Sequence, residues 1–204
     1  SLKGKLDVTF EEDLKRFLHS RLFLPGEAAL ESILEASRTL RLMQAPYVGV
    51  HIRRSDKYLE ADPVPTAAYA REVQCLARGG VVFLASDSSA ERELLQTALG
   101  RGFEVVEQAR LPAAAYLIRG VRTPSTWRRV AERHFFVDIA LLTQATAFVG
   151  AGSSNIGRFV YLQRGSRDRS VTVDGHFLRP ALAPLLRKGR RCITPACNVS
   201  TCHH

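Results

Sequence analysis

The sequence predicts an α/β domain: a Rossmann-like parallel sheet flanked by helices. Three observations carry that expectation. Short apolar runs and amphipathic stretches alternate strictly from about residue 46 onward. Gly, Pro or Asp-Ser punctuation bounds the runs. The chain of 204 residues, 46% of them hydrophobic, is long enough for one domain with its own core.

The first 45 residues read as helical lead-in. "FEEDLKRFLHSRLF" sets Phe10, Leu14, Phe17, Leu18 and Leu22 on one stripe, Pro25-Gly26 breaks it, and "EAALESILEASRTLRLM" resumes the same period. Pro46 ends the helical run and "YVGVHI" is a short apolar strand. "TAAYAREVQCLAR" is a helix stopped by Gly79-Gly80, and "VVFLAS" is a buried strand. "SAERELLQTALG" is a helix with Ser88 or Ser89 as its cap and Gly100 as its terminator. "FEVVE" is a third strand, "TWRRVAERHFFVDIALLTQA" a long amphipathic helix, and "AFVGA" a fourth strand. "SSNIGRFVYLQRG" opens one more helix and "SVTVDG" reads as a last strand. The expected domains are a helical lead-in over 1–45, the Rossmann-like unit over 46–178, and a basic, cysteine-containing tail over 179–204.

Net charge is +9 and Arg far outnumbers Lys, which favours anionic partners. Arg forks fit phosphate bidentately. A nucleic-acid role would need aromatic stacking platforms or a known binding motif, and neither stands in the sequence, so no nucleic acid is expected. The most apolar window, "FFVDIALLTQATAFVGAG", carries Asp138 and Gln144, so no membrane segment is expected in this chain. The chain begins at Ser1, and a fragment without its targeting segment is the expectation. In the tail, Cys192, Cys197 and Cys202 recur every five residues before His203 and His204. The C-x2-C pairs of a zinc site are missing, so no metal is expected and disulfides involving Cys75 are the alternative. Asn198-Val199-Ser200 is a glycosylation sequon, a pointer to a luminal chain.

Ligands of open α/β sheets lie beyond the carboxyl ends of the strands. Three strands here end in polar residues: "VGVHI" in Arg53, Arg54, Asp56 and Lys57, "VVFLAS" in Ser86 and Asp87, and "AFVGA" in Gly152, Ser153, Ser154 and Asn155. The last segment is a small-residue turn opening a helix, whose free backbone amides and hydroxyls suit a diphosphate. Ser153 and Ser154 equally suit helix capping. Strand period sends Arg53 and Arg54 to opposite faces, so one can reach a ligand while the other pairs internally with Asp56, Asp87 or Asp138. His51, between Val50 and Ile52, reads first as a core histidine.

"HIRRSDK" resembles the H-x-R-R-[ST]-D-K motif of the α1,6-fucosyltransferases that modify N-glycan cores and chitin oligosaccharides. "VVFLASDSS" and "FVDIALLTQATAFVGAGSSNIGRFVY" resemble that family's next two blocks, in the same order, over about residues 15 to 165. The resemblance implies the nucleotide-binding lobe of a GT-B-type, two-lobed glycosyltransferase. It implies a metal-independent, inverting transfer of fucose from GDP-fucose to a glycan, with no cofactor beyond that donor substrate, in the Golgi lumen or secretory pathway. Arg53 then matches the arginine that grips the β-phosphate, and Arg54 the more structural one. Glu60 matches the general base and keeps the family's nine-residue spacing to Tyr69. Lys57 would share with Arg53 the charge growing on the diphosphate. Strand ends and resemblance together give a donor-binding set of His51, Arg53, Arg54, Asp56, Tyr69, Asp87, Asp138, Ser153, Ser154 and Asn155. Asn155 stands where the family usually has Gln, Ser88 replaces the second Asp of the middle block, and the loop before Glu60 is one residue shorter. Those departures keep two alternatives open: a catalytically weak GDP-sugar-binding module, and an enzyme that fucosylates protein hydroxyls.

Overall fold

The structure, a computed structural model, describes residues 27–54, 62–109, 111, 125–164 and 169–174. The expected helix near Phe10–Leu22 and the cysteine tail lie outside the described residues, as do Asp56, Lys57 and Glu60. Helix α1 spans Glu27–Thr39 and strand β1 Tyr47–Ile52, followed by α2 (Thr66–Leu76), β2 (Gly80–Ser86), α3 (Glu91–Leu99) and β3 (Phe103–Val106). After these come α4 (Ser125–Gln144), β4 (Ala147–Gly150), α5 (Asn155–Arg164) and β5 (Ser170–Thr172).

The five strands form one sheet in the order β3-β2-β1-β4-β5, and every pairing is parallel. All six residues of β1 are buried, which is why "YVGVHI" lacks the alternation of a half-exposed strand. Its Val48, Val50 and Ile52 face α2 and α3, in a core with Tyr69, Val73, Leu95 and Leu99. Tyr47 faces the other way, toward Ile33 of α1, Leu141 and Leu142 of α4 and Val160 of α5. Each fully buried side chain of this size is worth roughly 1.5–3 kcal/mol relative to exposure. The predicted α/β class is the observed one.

The chain builds outward from β1 through β2 to β3, then returns to place β4 on the other side of β1. That reversal leaves a crevice between the carboxyl ends of β1 and β4, where helices of successive connections lie on opposite faces. One glycine sets a wall of the crevice, and another ends a helix at the opposite edge of the sheet. Gly157 of α5 sits so close to the turn that an added Cβ would strike the Ala151 carbonyl oxygen, so only glycine lets α5 dock there. Gly100 ends α3 at φ +78°, a left-handed conformation, and its N–H closes on the Gln96 carbonyl at 3.0 Å. One local expectation is corrected. The cap of α3 is Ala90, without a side-chain bond, and Glu91 at the first helical position is buried.

Helix α4 ends against an internal cation. The Arg164 guanidinium donates to the carbonyls of Leu142 (3.2 Å), Thr143 (3.0 Å), Thr146 (3.1 Å) and Ala145, while its Nε reaches Ser170 Oγ at 3.0 Å. One side chain thus satisfies the carbonyls that a helix terminus leaves open and complements the negative end of the dipole. It also ties α5 to β5. Arg164→Met is expected to lower stability by about 2 kcal/mol, measured by urea denaturation; an unchanged midpoint would show the cap to be dispensable.

Candidate functional site

Beyond Ile52 the strand geometry stops and the two arginines separate. Arg54 turns inward. Its Nε donates to Glu91 Oε1 at 2.7 Å and its Nη2 to Glu91 Oε2 at 3.2 Å, a two-point grip on a buried carboxylate. The remaining fork reaches the Val64 carbonyl at 2.6 Å and Thr66 Oγ1 at 3.0 Å, and Thr66 itself donates to Glu91 at 2.7 Å. The guanidinium also stands 6.0 Å from the centroid of the Tyr69 ring. The expected partners of an inward arginine were Asp56, Asp87 and Asp138, and the side-chain partner is instead Glu91. Asp87 accepts the Arg54 backbone N–H at 2.7 Å, and Asp138 is engaged elsewhere. Glu91 escapes sequence reasoning because a carboxylate in the first turn of a helix reads as a solvated residue that favours the dipole.

Arg53 turns the other way, onto the crevice. With Asp62, Pro63, Val64, Tyr69, Ala151, Ser153 and Ser154 it lines about 250 Å³ of empty space, open mouth included. The structure therefore brings Arg53, Tyr69, Ser153 and Ser154 together from three separate stretches of sequence. Tyr69 is buried and its hydroxyl pKa is pushed up, chiefly by burial, with Arg54 opposing and Asp174 and Glu91 adding to the rise. It stays a neutral phenol at physiological pH. Asp62, exposed on the rim, is the one carboxylate among the described residues of that lining.

The turn after β4 differs from expectation. The backbone N–H groups of Gly152 and Ser153 were expected to be available for a diphosphate. Both are taken by one internal carboxylate, Asp174, at 2.7 and 2.9 Å to its two oxygens. Nothing in "SVTVDG" marks that aspartate; only the pairing of β4 with β5 brings it alongside. Ser154 is buried, and its Oγ lies 3.5 Å from the Gly157 N–H, the position of an N-cap. Asn155, exposed at the start of α5, bonds Arg158 one turn on.

Asp138 is not among the residues of the crevice lining. On α4 it accepts from Gln108 Nε2 at 2.5 Å, and the His134 ring stands 3.7 Å from its other oxygen. Burial pushes its pKa up to about 6; the Gln108 bond and His134 pull it down and Glu107 pushes it up. His51 is buried on β1, and its Nδ1 has no hydrogen-bond partner among the described residues. Burial lowers its pKa from 6.5 to about 4, with Asp87 opposing and Arg53 adding to the shift. Among the described residues no group of three or more His, Cys, Asp or Glu could hold a metal ion, and no helix is long and apolar enough to cross a membrane.

No family model and no curated protein matches the chain. Among solved structures, a crystal structure of POFUT1 in complex with GDP aligns at 16% identity and a TM-score of 0.40, over 69% of this chain. The chain spans 46% of that structure's length.

The geometry separates the arginines by experiment. Arg54→Ala leaves Glu91 buried and uncompensated and is expected to cost about 3 kcal/mol. Arg53→Ala, on the crevice, is expected to shift the midpoint by less than about 1 kcal/mol. Thermal melts of the two variants check this, and the reverse order would mean the faces are exchanged.

The pH dependence also has a defined sign. His51, held neutral, contributes stability above pH 6.5 that is lost as pH falls to about 4. Asp138, with its folded pKa raised from 3.8 to about 6, contributes stability below pH 3.8 that is lost as pH rises through about 6. The two shifts run in opposite senses over overlapping windows, so they offset one another. Asp138→Asn should steepen the loss of stability from pH 6.5 to 4, and His51→Gln should turn it toward a gain. Urea denaturation across that range reads the slopes; parallel slopes in all three proteins would contradict both assignments.

Proposed function

We propose that this domain binds GDP-fucose at the β1–β4 crevice and transfers the fucose to a glycan hydroxyl, as an α1,6-fucosyltransferase-like, inverting, metal-independent enzyme of the secretory pathway. One observation carries the reading. Two adjacent arginines in a motif resembling that family's are split by the fold, with Arg54 locked onto Glu91 and Arg53 turned onto the crevice. A diphosphate needs charge-assisted donors aimed at the oxygens where negative charge grows, and Arg53 is one such donor.

In the proposed reaction the acceptor oxygen attacks the anomeric carbon as the bond to the β-phosphate oxygen breaks. That oxygen leaves with the bonding electrons on GDP, and the acceptor proton passes to a carboxylate. Arg53 and Lys57 stabilise the departing charge. Glu60 is the proposed base, on its spacing to Tyr69; Asp62, on the rim of the crevice, is the alternative position.

Calorimetry with GDP, GDP-fucose and UDP tests the donor, and transfer assays with an N-glycan core, a chitin oligosaccharide and a protein hydroxyl test the acceptor. Glu60→Gln should hold GDP within about twofold of wild type and lose roughly 10²–10⁴ in turnover, the usual worth of a general base. Unchanged turnover in Glu60→Gln beside collapse in Asp62→Asn would move the base to Asp62. Tight GDP binding without any transfer would make the domain a binding module, and equal binding of UDP would remove the guanine-nucleotide assignment.

A further inference from the structure

A turn of small residues between a strand and a helix presents backbone N–H groups, and such a turn is a ready anion site. Here the anion is built into the chain. Asp174 lies two residues past the end of β5. Its Oδ1 accepts from Gly152 N–H at 2.7 Å and its Oδ2 from Ser153 N–H at 2.9 Å. Two adjacent amides held by the two oxygens of one carboxylate fix both the position and the tilt of the peptide between them. That peptide sits directly between Ala151 and Ser154, both of which line the crevice. The turn is further pinned where Ser154 N–H meets the Ala151 carbonyl at 3.1 Å, so its shape is set from two sides.

We infer that Asp174 is a positioning residue of the crevice. Its carboxylate, rather than a ligand's phosphate, closes the Gly152–Ser153 amide pair, and it thereby holds Ser153 at the crevice wall and Ser154 at the cap of α5. The inference rests on the nucleotide reading proposed above for what the crevice binds, but not for the contact itself. It assigns the donor's diphosphate to the Arg53 side of the crevice and takes the Gly152 and Ser153 amides out of direct contact with it. A placeholder carboxylate that a phosphate displaces would behave in the opposite sense, because removing it would free two donors for the ligand and take away one repelling negative charge.

Amide hydrogen exchange on the whole chain reads the contact without any ligand. Asp174→Asn keeps one acceptor oxygen and turns an NH₂ toward the other amide, so exchange at Gly152 and Ser153 should quicken by about tenfold or more. In parallel, Asp174→Asn should weaken GDP binding by about fivefold to tenfold while the protein remains folded by circular dichroism, since one acceptor is lost and the wall shifts. Unchanged exchange at the two amides overturns the inference. Tighter GDP binding in Asp174→Asn overturns it as well, in favour of a displaceable placeholder. A wild type that binds no GDP yet shows the exchange response removes the nucleotide reading and leaves the contact between Asp174 and the turn standing.

Discussion

The grip of Arg54 on Glu91 is the constraint on which the rest of this sheet end depends. A carboxylate as buried as Glu91 is costly unless a cation and further hydrogen bonds satisfy it, and Arg54 and Thr66 supply both. The same guanidinium reaches the Val64 carbonyl, and the Arg54 backbone N–H is fixed by Asp87. One residue therefore joins the end of β1 to the end of β2, the start of α2 and the start of α3. Because losing any single partner would leave a buried charge or polar group unsatisfied, the contacts reinforce one another. The consequence for chemistry is that the backbone leaving β1 has a fixed direction, and that direction puts Arg53 on the crevice.

How much of this was legible in the sequence follows from which interactions are local. Strand β1 could be read because burial on both faces of a parallel strand demands a mostly apolar run, and "YVGVHI", apart from His51, is one. Strand period suggested that Arg53 and Arg54 part, but the strand ends at Ile52, and it is the pairing of Arg54 with Glu91 that separates them. The partner could not be read, because Glu91 lies 37 residues on and becomes buried only when α3 docks under the end of β1. Asp174 was hidden for the same reason: its contact with Gly152 spans 22 residues and exists only because β5 lies beside β4. Ser88 and Ser89 looked like caps because hydroxyls before a helical period usually are. The helix starts instead at Glu91, behind Ala90, whose side chain makes no capping bond. Local grammar gave elements and faces, and side-chain pairing across strands decided the site.

Charge placement around the crevice shows a further consequence. Arg54 is neutralised by Glu91, and Asp174 accepts two backbone N–H groups beside the crevice. Asp87 faces the Arg54 amide and the His51 ring, and His51 is held neutral by burial. Neither His51 nor the inward arginine is therefore a source of positive potential for an anion in the crevice. Among the described residues that line the crevice, Arg53 is the single cation, and Asp62 on the rim works against it.

A diphosphate carries more negative charge than one guanidinium can balance, and opposite charges a few ångströms apart near a protein surface are worth several kcal/mol. Tight binding of such a ligand thus requires a second cation within reach of the same oxygens. The helix terminus of α5 does not supply that need in full, since two of the turn's amides are already closed by Asp174. Sequence places Lys57 four residues beyond Arg53, on the connection between β1 and α2. The far end of that connection is tied down by Arg54 through Val64 and Thr66. In the proposed reading donor affinity would be set jointly: Arg53 would supply orientation, and Lys57, on a connection whose far end Arg54 ties down, would supply the remaining charge.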